Sequence, residues 1–248
     1  MFFWMMSPYL AYRWLLVAAA VLPAVFLLVK VYRADRIERE SPRLIGSLVI
    51  GGIISTFFAI ISERVFGALL NALVPRTSAA YNVILYFVVV AVSEELSKYM
   101  LLKKRTWYNG EFNCLYDGVV YAAAVSLGFA LWENISYVTM YGFSTALVRA
   151  VTAVPGHACF GVFMGVFYSL AKSNDYVGEE GKSRFFRVLS VVVPVLLHGA
   201  YDYIASIESA DFSWTFIIFV AVLFTLSFIL VGRMAKNDRY LARPWMRR

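Results

Sequence analysis

Seven apolar stretches, each near the length of about 20 residues that an α-helix needs to cross a bilayer, constrain this 248-residue chain more than any other feature. They run approximately from Tyr9 to Val31, Leu44 to Ser62, Ala79 to Leu102, Gly118 to Val138, Ala146 to Ala171, Val188 to Ile207 and Trp214 to Gly232. Hydrocarbon offers no water to satisfy backbone N–H and C=O groups, so only helices and closed barrels span it. Unbroken apolar runs of this length select helices. The expected fold is therefore all-α: a polytopic membrane protein of about seven transmembrane helices. Its 61% hydrophobic content and mean hydropathy of +0.69 exclude an ordinary soluble domain, in which apolar residues make up roughly half.

The connections are short and free of repeats, so residues 1–248 read as a single transmembrane domain. The run from Arg64 to Val74 is too short to cross alone and reads as an interfacial helix or an extension of the second span; Pro75 separates it from the third. No basic segment precedes the first apolar run, which is too long for a signal peptide and reads as a retained helix. Cys114 falls in a loop and Cys159 within a span, so neither a disulfide nor a Cys-x-x-Cys metal motif is expected.

The formal charge of +7 reports membrane orientation rather than nucleic acid, because the basic residues flank the spans. With the N-terminus outside, the inner connections collect Lys30 to Arg43, Lys103 to Arg105 and Lys172 to Arg187. The tail adds Arg233, Lys236, Arg239, Arg243, Arg247 and Arg248. Of 23 lysines and arginines this leaves Arg13, Arg64, Arg76 and Arg149 outside and Lys98 within a span. Basic residues accumulate on the cytoplasmic side, so the expected location is the cell membrane with the N-terminus outside and the C-terminus in the cytoplasm.

Ionisable residues inside the spans are concentrated. The third carries Glu94, Glu95 and Lys98, the fourth Glu133, the fifth His157, and the sixth His198 and Asp202. Well inside their bounds the first, second and seventh carry none. A charge near the bilayer centre costs roughly 2.5–3.5 kcal/mol on insertion scales, so such residues face one another or a wet cavity. A polar cavity among helices three to six is therefore expected, with residues 79–207 as catalytic helices and residues 9–62 and 214–232 as scaffold. The bland alternative is a Glu–Lys ion pair that only ties helices together.

On a helix Glu94, Glu95 and Lys98 border one side, and His198 and Asp202 lie four apart on one face. The acids and histidines lie at different depths, so convergence requires tilts or bends, for which Pro155 and Pro194 are candidates. Small residues at the start of the fourth span (Ala122, Ala123, Ala124, Ser126, Gly128) and the Gly161–Gly165 pair permit close helix packing.

Four ordered motifs on four helices, EELSK (Glu94 to Lys98), DGVVYAAAVSLGFALWEN (Asp117 to Asn134), HACFGVFMG (His157 to Gly165) and HGAYD (His198 to Asp202), resemble the PrsW family of intramembrane proteases. That family is marked by Glu-Glu-x-x-Lys, Phe-x-x-x-Glu and His-x-x-x-Asp, and resembles the CAAX prenyl-endopeptidases more distantly. The chain departs from it at Ala122 and Ser126, where the family often has glycine; this touches packing rather than chemistry. The resemblance implies a glutamic-type protease, sometimes classed with metallopeptidases, that cuts a single-pass membrane-anchored protein such as an anti-sigma factor. It implies Glu94, Glu95 and His198 as principal catalytic groups, joined by Glu133, with Lys98, Phe129, His157, Asp202 and Asn134 in support.

Chemically, peptide hydrolysis needs an activated water, a proton for the leaving amine and donors for the oxyanion. Glu94 is expected as general base with help from Glu133, Glu95 as the partner of Lys98 or a proton source, and His198, oriented by Asp202, as oxyanion donor. No cofactor is expected; the alternative is zinc held by His157, His198 and Glu133, although no His-Glu-x-x-His occurs. A transporter or proton channel would also place acids and histidines at mid-membrane. A non-catalytic binding scaffold is disfavoured because every motif residue is intact.

Overall fold

The computed structural model describes residues 7–207 and 209–241; Arg243, Arg247 and Arg248 lie outside them. Among the described residues there is no strand, only an isolated antiparallel bridge between Cys114 and Tyr240. The helices are α1 (Pro8–Ala34), α2 (Pro42–Leu73), α3 (Ala79–Val83) running through a π-helical stretch (Ile84–Val90) into α4 (Ala91–Thr106), α5 (Asp117–Tyr141), α6 (Phe143–Val151), α7 (Ala153–Tyr176), α8 (Glu180–Ala205) and α9 (Ala210–Lys236). They supply 7 helical spans long and apolar enough to cross a membrane, with α3 to α4 forming one and α6 with α7 another.

Local chemistry sets the ends. Ser7 and Ser41 cap α1 and α2 by accepting the N–H of Leu10 and Leu44, each followed by a proline at the first helical position. There a missing N–H has no intrahelical partner to lose. Gly142, at φ +86°, takes the left-handed conformation that ends α5, and Gly178, at φ +81°, does the same between α7 and α8.

At two boundaries the structure decides what the sequence reading left open or misplaced, the first by taking the extension offered as one of two readings of Arg64 to Val74. Nothing in the chain breaks α2 before Pro75, so Arg64 to Leu73 extends the second span as one 32-residue helix. Pro155 does not bend a continuous fifth span. The break falls at Thr152, and Pro155 sits in the first turn of α7, where its missing N–H is harmless. Pro194 does lie inside α8.

The core is built on α5. Its most apolar segment is 78% buried, against 17% for α1 and 11% for α9, which present Trp14, Leu22, Phe26, Ile218 and Phe228 outward, where lipid lies. Small residues let α5 approach its neighbours. A Cβ on Gly52 of α2 would overlap the Val125 carbonyl, and one on Gly128 the Val49 carbonyl. On an adjacent face Gly161 packs against Ser126 and the Ala122 carbonyl, and Gly165 against Gly118. The residues that replace glycine at 122 and 126 thus form the α7 contact. Both cysteines are buried and free.

One end of the bundle is laced by polar contacts between connections. Ser41 donates to Glu111 through both its N–H (2.9 Å) and its hydroxyl (3.1 Å). Leu115 donates its N–H to the Arg239 carbonyl at 3.0 Å, fastening the segment after α9.

Candidate active site

In the half of the bundle away from those connections, the intramembrane acids and histidines of α4, α5, α7 and α8 meet in one continuous network. At its centre is the Lys98 ammonium, fully buried, 2.7 Å from Glu95, 3.2 Å from Glu94 and 3.2 Å from His157 Nδ1. The two glutamates follow from helical spacing, at i−4 and i−3 from the lysine; the histidine comes from another helix. The ammonium also sits 4.0 Å from the centre of the Phe129 ring, so the aromatic face completes its shell on the apolar side.

From His157 the network runs outward: Nε2 meets Glu133 at 2.8 Å, and Glu133 accepts from Arg149 at 2.9 Å. From Glu95 it runs to His198, whose Nδ1 lies 2.9 Å from that carboxylate and whose Nε2 lies 3.3 Å from Asp202. Phe160 stacks on the His198 ring at 4.8 Å. Each His198 nitrogen thus faces a carboxylate, an arrangement satisfied on both sides when both nitrogens carry protons.

A cavity of about 560 Å³ opens onto this network. Glu94, Glu133, His157, His198 and Asp202 line it, while Glu95 and Lys98 lie sealed beneath. Thr56, Ala59, Ile60 and Glu63 of α2 line it too, so a helix taken as scaffold contributes wall and charge. Ser62 bonds to Ser93 at 2.8 Å, holding that part of α2 against α4.

Every site residue named from the sequence belongs to this region. Asn134 stands behind it: its amide donates to the Ala20 carbonyl at 2.9 Å and its oxygen accepts from Arg149 at 3.0 Å. Sequence reasoning missed Glu63, by ending the second span at Ser62, and Arg149, by counting it as an outer flank. The uninterrupted helical pattern through Val74 was the available signal for Glu63. Nothing local marks Arg149, because its partners come from α5. The seven-residue π stretch just before α4 was likewise unread; such wide turns occur often at functional sites.

The donors suit a metal in type but not in arrangement. Among the described residues His157, His198 and Glu133 do not form a compact set of three: His157 Nε2 meets Glu133 itself, while both His198 nitrogens face Glu95 and Asp202 instead. Glu94, Glu95 and His157 do gather donor atoms within 4.8 Å of one another. The Lys98 ammonium is hydrogen-bonded to all three, and a divalent cation there would meet that charge directly.

The model of a family described as PrsW family intramembrane metalloprotease matches residues 40–231. The chain belongs to the PrsW family. It is similar to Protease PrsW of Geobacillus kaustophilus, at 33% identity over 76% of this chain and 79% of that protein. Against Protease PrsW of Halalkalibacterium halodurans the identity is 32% over 90% of this chain and 99% of the relative. Against that of Bacillus subtilis it is 30% over 90% and 95%. No solved structure matches. This PrsW-family chain is a multi-pass intramembrane protease, and its EELSK, FALWE and HGAYD motifs all meet at the network just described.

Proposed function

We propose that the protein hydrolyses a peptide bond of a single-pass membrane-anchored substrate, of the anti-sigma-factor type, with water activated by Glu94 and no resident metal. One observation carries this reading: of the two adjacent glutamates, Glu94 borders the cavity, while Glu95 is enclosed beneath it with Lys98 and reaches the cavity only through its contact with His198. Successive helical residues point about 100° apart, so one acid serves the reaction and the other serves the scaffold of charges.

In the proposed reaction a cavity water loses a proton to Glu94 as its oxygen adds to the scissile carbonyl. The protonated Glu94 then passes that proton to the departing amine. The oxyanion takes a hydrogen bond from His198 Nε2 in exchange for Asp202, whose carboxylate stands at 3.3 Å on the cavity side and is partly exposed. Glu95 holds His198 in orientation through Nδ1. Glu133, engaged by Arg149 and His157, lines the cavity as a fixed negative group rather than a second base.

The cavity lies in the halves of the helices next to the α2–α3, α5–α6 and α8–α9 connections. In the orientation supported by the basic residues those connections are outside the cell, so water and the substrate's juxtamembrane segment enter from that face.

The test is Glu94→Gln, which preserves shape and removes the base. Cleavage of a membrane-anchored substrate in reconstituted protein is expected to fall by about 10²–10⁴-fold; cleavage at the unmutated rate would overturn the assignment. Zinc is the second reading, favoured by the Glu94, Glu95 and His157 donors and opposed by Lys98 among them. Metal analysis with chelator challenge separates the two: stoichiometric zinc whose removal abolishes cleavage would replace the metal-free mechanism.

A further inference from the structure

The described residues contain a second compact group of three metal-type donors, at the other end of the bundle. Asp35, just after α1, Glu40, just before α2, and Asp117, the first residue of α5, bring carboxylate oxygens within 4.8 Å of one another, and all three are buried. Asp117 precedes Phe129 by about 18 Å of helix, so this group is distinct from the protease site.

Its wiring leaves oxygens over. Asp117 is 0% exposed; its Oδ2 accepts the N–H groups of Asn113 and Cys114, and its Oδ1 has no partner. Asp35 is 4% exposed; its Oδ1 accepts the Ile37 N–H, and its Oδ2 has no partner. Asp238 repeats the pattern beside them, with Oδ1 accepting from Tyr116 and Arg239 and a buried Oδ2 left over. Backbone N–H groups fix each aspartate by one oxygen and leave the other oxygen to something else. Buried carboxylate oxygens without donors are costly.

The protease cluster balances its acids with Lys98. Here, among the described residues, no lysine or arginine forms an ion pair with Asp35, Glu40 or Asp117, and Arg39 acts on Asp35 only through its field. Oxygen-only donors with no imidazole or thiolate select a hard divalent ion over zinc or copper.

We infer that Asp35, Glu40 and Asp117 form a structural binding site for a hard divalent cation, magnesium or calcium, with Asp238 beside it. The ion would clip together the α1–α2 connection, the start of α5 and the segment after α9. α5 is the helix that carries Phe129 and Glu133, so the clip would brace the site helix from its far end. The rival occupant of the same oxygens is a proton shared between carboxyls.

The test uses the full chain purified in detergent at constant pH, freed of metal with EDTA and titrated separately with magnesium chloride and calcium chloride. A saturable rise in melting temperature of about 5–10 °C at a hundred-fold excess over Kd is expected for one or both ions. Glu40→Gln and Asp117→Asn should abolish that rise, and Glu40→Gln should melt higher than the unmutated chain in EDTA because a crowded charge has been removed. Terbium luminescence sensitised by nearby Tyr116 and Tyr121, displaced by calcium, provides a direct readout on unmutated protein should either variant fail to fold. No thermal response to either ion, or a response of full size in both variants, would overturn the site and leave the shared proton as its occupant.

Discussion

Replacing Lys98 with methionine tests whether the ammonium is the counter-ion around which the acids are held. The pair distances are 2.7 Å to Glu95 and 3.2 Å to Glu94. At an effective dielectric of about 20 the gross attractions are about 6 and about 5 kcal/mol, before the cost of removing the ammonium from water is subtracted. What survives is smaller: removing one partner of a buried ion pair destabilises by about 3–5 kcal/mol, because the other charge is left unpaired. The same substitution forfeits the contact with the Phe129 ring, worth about 0.5–2 kcal/mol. For a chain of this size the net loss corresponds to a melting temperature lower by roughly 10 °C. The assay is thermal unfolding of four purified proteins: unmutated, Lys98→Met, Glu95→Gln and the double variant. If the charges are coupled, the double variant recovers stability relative to Lys98→Met, with an interaction energy of about 1.5–3 kcal/mol. Additivity within about 0.5 kcal/mol would refute the reasoning and leave Lys98 as a lysine that merely happens to lie near two acids.

Three further outcomes follow from particular contacts. A Cβ at Gly199 would lie 2.6 Å from the Phe87 ring, so Gly199→Val should push the π stretch off α8, stretch the Glu95–His198 contact, cost about 1–3 kcal/mol and remove most cleavage activity; thermal unfolding and a substrate assay check it. Arg149 grips Glu133 and Asn134 with two nitrogens, so Arg149→Lys, which keeps charge but loses the fork, should recover only part of the activity lost in Arg149→Leu, measured as kcat/KM. Burial, and the charge of Asp117 beside it, push the Cys114 thiol well above its ordinary range; neutral-pH maleimide should therefore modify Cys114 only after unfolding, as read by mass spectrometry.

What the sequence made legible and what it hid divide by the range of the interaction. Apolar length alone gave the spans, because the bilayer imposes one length on every helix that crosses it. Charges within those spans pointed to the network, because hydrocarbon leaves such groups no partner except one another or water. Pairings within one helix, Glu94 and Glu95 with Lys98 and His198 with Asp202, were readable from spacing and are present at 2.7–3.3 Å. Pairings between helices were not, since they depend on how far each helix slides and turns against its neighbour. The acids and histidines start at different depths, and of the two prolines expected to bend the helices only Pro194 lies inside one, α8, while Pro155 sits in the first turn of α7. The chain breaks at Thr152 instead, and the π stretch at Ile84–Val90 resets the facing of α4 just before its acids. Gly199 then lets that stretch sit directly on α8, beside the histidine that Glu95 must reach. The glycine of His198-Gly199 is thereby tied to the chemistry as closely as its neighbour is. It sets the separation of α4 and α8, and that separation decides whether an acid on one helix and an imidazole on the other share a hydrogen bond.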